Sequence, residues 1–122
     1  MCALILIRIA WYSMKDETVY LRHIGDAIQQ IESYTSGLSR KEFFAERMVQ
    51  DAVVRQLEII GEASRQLSDD LRTQHDHIPW RAMIGMRNRI AHEYLNLDLQ
   101  VIWEVVKHDL PTLKTQIDRI LE

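Results

Sequence analysis

The sequence predicts an all-α fold, an antiparallel bundle of four to five helices in one domain. The chain has 122 residues with only four Gly and two Pro, fewer than the turns of a many-stranded β protein require. Apolar residues recur at spacings of three and four, the repeat of an amphipathic helix. With 47% apolar and 27% charged residues, the composition is that of an ordinary globular domain and excludes disordered and fibrous classes.

The first helix is predicted from about Asp16 to Tyr34. Its apolar stripe advances by four, three, four and three residues and consists of Tyr20, Ile24, Ala27, Ile31 and Tyr34. The segment from Thr35 to Gly37 ends it.

Residues 1–13 join no later pattern, whereas Met14 and the charged residues after it suit a helix start. We interpret residues 1–13 as an apolar leader before a single helical domain of residues 14–122. The leader is either a non-native extension, with Met14 as the natural start, or a short packing strand. The leader is too short to span a bilayer, is interrupted by Arg8 and has no basic region before it, so neither a membrane segment nor a secretion signal is expected.

The second helix is predicted from about Lys41 to Leu67. Ser39 and Glu42 have the S-x-x-E spacing of a capping box at its start. Gly61, in the middle of this helix, indicates close packing against another helix. The apolar stripe consists of Val49, Val53, Leu57, Ile60, Ala63 and Leu67.

The rest of the chain is predicted to form a short helical turn over residues 69–75 and then longer helices. Pro79 suits the first position of a helix that continues to about Leu95, because its missing N–H costs nothing there. The segment from Asn96 to Asp98 ends that helix and caps the next one. Pro111 restrains or kinks this last helical region.

The polar run from Arg87 to Tyr94 (RNRIAHEY) contains four residues that suit phosphodiester chemistry. On an ideal helix Asn88 lies about 100°, His92 about 140° and Tyr94 about −20° from Arg87, so these four share one face while Ile90 stays in the core. Arg87 and His92 nevertheless diverge too far to bind one small group unless the helix end unwinds or a second chain contributes.

This run resembles the R-x-x-x-x-H motif of the HEPN superfamily and, with Tyr94, the R-N-x-x-x-H-x-Y form of HepT toxins. The resemblance includes Gly61-Glu62-Ala63 and Ile78-Pro79-Trp80 and begins near Met14. It implies a dimeric, metal-independent ribonuclease paired with a MntA-like nucleotidyltransferase antitoxin that adds AMP to the motif tyrosine. By position, Arg87 and His92 would be the catalytic pair, Asn88 a supporting residue and Tyr94 the modified one.

The chemistry of these side chains agrees with that implication. RNA supplies its own nucleophile in the 2′-hydroxyl, so the protein needs proton transfer and positive charge on the developing phosphorane. His92 is suited to proton transfer near neutral pH, and Arg87 presents a planar fork to phosphate oxygens. Asn88 can orient either His92 or the substrate. The alternative function is a non-catalytic helical binding module that partners a nucleotidyltransferase.

Other residues and the net charge indicate what to expect of cofactors, cellular compartment and RNA binding. His75 and His77 lack the further ligands of a closed metal site, so neither a metal nor another cofactor is expected. The single cysteine, Cys2, cannot form an internal disulfide and fits a reducing cytoplasm.

The net charge of −3 argues against broad, charge-driven RNA binding, so RNA recognition requires a local basic cleft. Its candidate cations are Arg81, Arg87, Arg89 and the copies of these in a partner chain.

Overall fold

The computed structural model describes the backbone of residues 2–122 and the side chains from Glu17 onward. Within these residues every regular element is helical, which confirms the predicted all-α class. The helices are α1 (Cys2–Thr35), α2 (Arg40–Ala45), α3 (Arg47–Gln66), α4 (Asp69–Gln74), α5 (Trp80–His92), α6 (Leu99–Glu104) and α7 (Leu110–Leu121). A 3₁₀ turn at Tyr94–Asn96 follows α5, and a π turn at Val105–Asp109 joins α6 to α7.

Helix α1 begins earlier than predicted. Its backbone is helical from Cys2, so both the start near Asp16 and the alternative of a packing strand in residues 1–13 are wrong. This segment contains neither Gly nor Pro, so nothing in its backbone chemistry interrupts the helix. The predicted end is confirmed: α1 ends at Thr35, whose hydroxyl donates to the Ile31 carbonyl at 2.8 Å, and Gly37 adopts a positive φ of 74°.

The predicted second helix is two helices in the structure. The backbone breaks at Glu46, with φ −108° and ψ 88°, between α2 and α3. The Gln50 side-chain amide donates to the carbonyls of Phe43 and Phe44 at 2.9 and 3.1 Å, at the end of α2 where helical hydrogen bonding stops. The Phe43 carbonyl also accepts from the Glu46 N–H at 3.3 Å. The capping box of Ser39 and Glu42 is present as predicted.

Helix α3 is the centre of the fold, because it packs against α1 on one side and α5 on the other. Helix α7 closes the bundle against α1. The core between them is built mainly of aliphatic side chains, and among the side chains described from Glu17 onward Phe43, Trp80 and Trp103 are its buried aromatic residues. Its fully buried members include Ile24, Ile28, Ile31, Val53, Ile78, Ile90 and Ile117. No helix among the described residues is long and apolar enough to cross a membrane.

Helix α5 ends earlier than predicted. Pro79 is the residue before its first turn rather than its first residue, and the helix ends at His92 rather than near Leu95. Glu93 leaves helical geometry with φ −123° and ψ 33°. Residues 93–96 are all exposed, so no packing stabilises a further turn.

The last helical region is continuous from Leu99 to Leu121 but changes its winding in the middle. Asp98 caps it as predicted, since its carboxylate accepts from the Gln100 N–H at 2.9 Å. The π turn comes immediately before the Leu110-Pro111 step. Pro111 has no N–H to donate to a preceding carbonyl, and its ring crowds the previous turn, so the wider winding relieves the helix there.

The α3–α5 contact depends on Gly61. A Cβ at this position would collide with the Cβ of Arg87 and lie 2.7 Å from the carbonyl oxygen of Met83. The close packing predicted for Gly61 is therefore confirmed, and its partner is the helix that carries the R-N-x-x-x-H-x-Y run.

We expect Gly61→Ala to lower the free energy of unfolding by about 1–3 kcal/mol, because backbone atoms of α5 would have to shift. Gly85→Ala on α5 is the matched control, since a Cβ there meets no atom within 4 Å. That control should be neutral or stabilising by up to about 1 kcal/mol through helix propensity. Urea denaturation measures both variants, and equal effects would contradict the role given to Gly61.

Candidate active site on α5

The polar run lies at the carboxyl end of α5. Arg87, Asn88 and His92 all belong to the regular helix, and Ile90 between them is 1% exposed. Ile90 therefore anchors this part of α5 in the core, as the spacing predicted. The polar side chains are thereby carried by a packed helix rather than by a loop.

Two side chains fix the Arg87 guanidinium. Its Nε lies 3.5 Å from a carboxylate oxygen of Glu62 on α3, and its Nη1 donates to the Asn88 side-chain oxygen at 3.1 Å. The Arg87 side chain is 35% exposed. With Nε and Nη1 directed to these neighbours, Nη2 has no hydrogen-bond partner among the described residues and is available to an anion.

Glu62 is itself held in place. Arg65 donates to its carboxylate at 2.8 Å and Gln66 at 3.0 Å. The hydrogen bonds from Arg65 and Gln66, with the positive charges of Arg65 and Arg87, lower the pKa of Glu62 to about 2. Glu62 is therefore an anion at neutral pH and orients Arg87 through its charge. Sequence reasoning missed this role; the signal for it was the position of Glu62 directly after the glycine at the helix contact.

The structure does not bring Arg87 and His92 together within one chain. Both lie in regular helix five residues apart, so they point about 140° away from each other. His92 is exposed, and within the described part of the chain it makes no hydrogen bond or ion pair. Asn88 accepts a hydrogen bond from Arg87 and contacts Arg87 rather than His92, so it helps to orient the arginine.

Tyr94 lies outside α5. The predicted angle near Arg87 assumed a helix that continues to Leu95, and this is wrong because α5 ends at His92. Tyr94 sits in the 3₁₀ turn with 50% of its surface exposed, next to Leu95 with 89% exposed. Its neighbour in sequence, Glu93, pairs with Arg89 at 3.1 Å. Arg89 is therefore exposed and ion-paired through its Nε.

A small cavity opens beside Arg87, and His92 does not line it. It has a volume of about 210 Å³ and lies where α1, α3 and α5 meet. No local spacing relates the cavity's residues, because they come from three helices. Its lining consists of Tyr20, His23, Arg55, Glu58, Ile59, Glu62, Ala63 and Arg87.

The His75 and His77 rings contact each other edge to face, with centroids 6.1 Å apart. Among the described side chains, no group of three or more His, Cys, Asp or Glu residues is arranged to hold a metal ion.

An all-helical bundle with R-N-x-x-x-H-x-Y at the end of a core helix defines a HEPN-like protein. The chain belongs to the family described as "Ribonuclease HepT-like", which matches residues 24–120.

Several named relatives align with most of the chain. A protein of Thermococcus cleftensis named "Probable ribonuclease HepT" is 41% identical over 101 residues, which cover 83% of this chain and 92% of that protein. A protein of Caldanaerobacter subterraneus named as a "Putative RNase" is 35% identical over 109 residues, 89% of this chain and 97% of that protein.

A third relative is a longer protein. It comes from Methanocaldococcus jannaschii, is named "Gamma-glutamylcyclotransferase and putative RNase", and is 44% identical over 108 residues. The alignment covers 88% of this chain but only 49% of that protein, so the chain spans about half of its length. No solved structure matches the chain with statistical significance.

Proposed function

We propose that this protein is a metal-independent endoribonuclease, the toxin of a cytoplasmic toxin–antitoxin pair. The observation that carries the proposal is the Arg87 guanidinium, oriented by Glu62 and Asn88 with one edge free, on the same helix as an exposed His92. The ribonuclease names of its relatives support the same activity.

The reaction requires few protein groups. The 2′-oxygen of RNA attacks the adjacent phosphorus, its proton leaves to a base, and the bond from phosphorus to the 5′-oxygen breaks as that oxygen gains a proton. The products are a 2′,3′-cyclic phosphate and a 5′-hydroxyl. We assign proton transfer to His92 and stabilisation of the phosphorane charge to Arg87. Asn88 and Glu62 keep the arginine in position.

The angle between Arg87 and His92 leads us to propose a homodimer in which the motif helices of two chains meet. Each composite site would then combine Arg87 of one chain with His92 of the other. Exposed apolar side chains next to the motif support an interface there: Leu95 is 89% exposed and Val101 is 50% exposed. Burial of these side chains against a second copy would favour association.

Purified protein should cleave RNA in the presence of EDTA and leave 2′,3′-cyclic phosphate ends. Arg87→Ala and His92→Ala should each reduce the cleavage rate by about a hundredfold or more, the usual effect of losing a transition-state charge contact or an acid–base group. Gel electrophoresis of labelled RNA measures the rate, and end-group analysis identifies the product. His108→Ala and Arg119→Ala are the matched controls, because both residues are exposed and lie outside α5.

The ribonuclease proposal fails if the Arg87 and His92 variants cleave like the parent, or if activity requires an added metal. Folded protein that binds its partner without cleaving RNA would favour the non-catalytic binding module instead.

Mixing the two inactive variants tests the composite site. A dimer of one Arg87→Ala chain and one His92→Ala chain would contain one intact pair, so after subunit exchange the mixture should regain about a quarter of the parent rate. This fraction is expected because half of randomly formed dimers are mixed, and in each mixed dimer one of the two composite sites is intact. A stable monomer in sedimentation, or no recovery in dimers shown to exchange, would contradict the proposal.

We further propose that Tyr94 is the site at which a MntA-like nucleotidyltransferase neutralises the protein. The phenol oxygen would attack the α-phosphorus of ATP, with loss of its proton and release of pyrophosphate, to give a tyrosyl adenylate. The exposure of Tyr94 makes this oxygen accessible to a partner enzyme. In a dimer the added phosphate could bind the free edge of Arg87 and so occupy the place of the scissile phosphate.

Tyr94→Phe should escape neutralisation while it retains at least part of its ribonuclease activity, because the substitution removes only the acceptor oxygen. Incubation with the partner and ATP, followed by intact-mass and peptide mass spectrometry, should map one adenylate to Tyr94 in the parent and none in this variant. Tyr34→Phe is the control and should remain modifiable. An adenylate on Tyr12, Tyr20 or Tyr34, or neutralisation without any adenylate, would disprove the assignment.

A further inference from the structure

The cavity beside Arg87 combines features of a nucleotide-binding site. Arg87 lines one side of it, Arg55 on α3 another, and His23 on α1 is exposed at its edge. Ile59 and Ala63 contribute apolar surface between these polar groups. The same small space therefore offers guanidinium groups to a phosphate and an aromatic and apolar surface to a base.

The aromatic part of the cavity is anchored. Tyr20 is half-buried and packs against the hydrophobic core. Its ring meets the His23 ring edge to face, with centroids 6.2 Å apart and planes at 87°. A ring that is already fixed loses little conformational freedom when a base stacks on it, which favours binding.

The charges of the cavity leave Arg55 available to a ligand. Glu62 is already neutralised by Arg65 and Arg87. Arg55 takes part in no ion pair among the described residues, although Glu58 lines the same cavity. A phosphate beside Arg55 would gain a charge-assisted contact, while the Glu58 carboxylate would oppose it.

We propose that this cavity is an RNA subsite, which binds the nucleotide next to the scissile phosphate. In this subsite Arg55 binds a backbone phosphate and the base stacks on the ring of Tyr20, beside the ring of His23. The proposal rests on the proposed ribonuclease function, because Arg87 belongs to both sites. With a volume of about 210 Å³ the cavity is smaller than the roughly 300–1,000 Å³ of pockets that enclose a whole ligand, so it fits one part of a chain that continues outside.

The subsite also reconciles RNA binding with the acidic chain. A net charge of −3 provides little general attraction to a polyanion. Affinity must then come from a few well-positioned cations and from base stacking. Arg55 supplies a cation, and Tyr20 supplies a ring for stacking.

The test measures binding without cleavage. Fluorescently labelled 12-mers of 2′-O-methyl oligouridylate and oligoadenylate lack the attacking hydroxyl and therefore cannot be cut. Anisotropy titrations of the full chain at several salt concentrations give the affinity and its salt slope. A ribonuclease assay run in parallel reports the proposed function separately, so failure of the subsite is distinguished from failure of the ribonuclease function.

Two charge variants give opposite expectations. Arg55→Gln should weaken binding by about tenfold and reduce the slope of log affinity against log salt by about 0.7, the value for one phosphate contact with a single strand. Glu58→Gln should strengthen binding by about two- to threefold, because it removes a repulsive charge. Arg47→Gln is the matched control, since Arg47 is an exposed arginine of the same helix that does not line the cavity.

A third comparison tests stacking. Tyr20→Leu should lower the affinity by about tenfold with an unchanged salt slope, and Tyr20→Phe, which keeps the ring, should bind like the parent. Circular-dichroism melting confirms that each variant is folded before it is titrated. The subsite is wrong if Arg55→Gln matches Arg47→Gln in affinity and salt slope, or if folded Tyr20→Leu binds as tightly as Tyr20→Phe.

Discussion

The close approach of α3 and α5 at Gly61 is the constraint on which the site depends. Only hydrogen fits where a Cβ would meet the backbone of Met83 and the side chain of Arg87. Because the two helices touch here, the next residue on α3, Glu62, lies within ion-pair distance of Arg87. The close contact of α3 with α5 and the pairing of Glu62 with Arg87 therefore both depend on the absence of a side chain at Gly61.

The contacts that orient Arg87 contribute little to the stability of the fold. Glu62 and its partners Arg65 and Gln66 lie at the surface, where ion pairs add only modestly to stability. Their effect is instead directional, because they fix the guanidinium plane on a helix that is anchored through Ile90. A cation oriented before substrate arrives needs less reorganisation when charge develops on a phosphorane.

The motif extends from the part of α5 that contacts α3 to a turn beyond the end of the helix. Arg87 contacts Gly61 and Glu62 of α3. His92 is in the final turn of α5, and Tyr94 lies beyond it in a 3₁₀ turn. Within one chain this arrangement leaves an oriented cation and an exposed imidazole on different sides of a helix. This separation is the reason for the proposed homodimer, and the exposure of Tyr94 is the reason for its proposed modification by a second enzyme.

The sequence alone was sufficient for the all-helical class, the capping box at Ser39 and the core position of Ile90, because each depends on local spacing. It was also sufficient to identify the R-N-x-x-x-H-x-Y motif and the resemblance to the HepT family. It missed the break at Glu46, because the hydrogen bonds that accompany this break come from the side chain of Gln50 on the next helix. It extended α5 too far, because periodicity does not report that residues 93–96 have no surface to pack against.

The partners of Arg87 and the residues of its cavity were decided by tertiary structure. Glu62 lies on α3, whereas Tyr20 and His23 lie on α1, and no spacing within a single helix relates them to α5. Local sequence fixes which face of each helix is apolar. Which polar residues then meet depends on the depth and angle at which those faces pack, and here the missing side chain of Gly61 sets that depth.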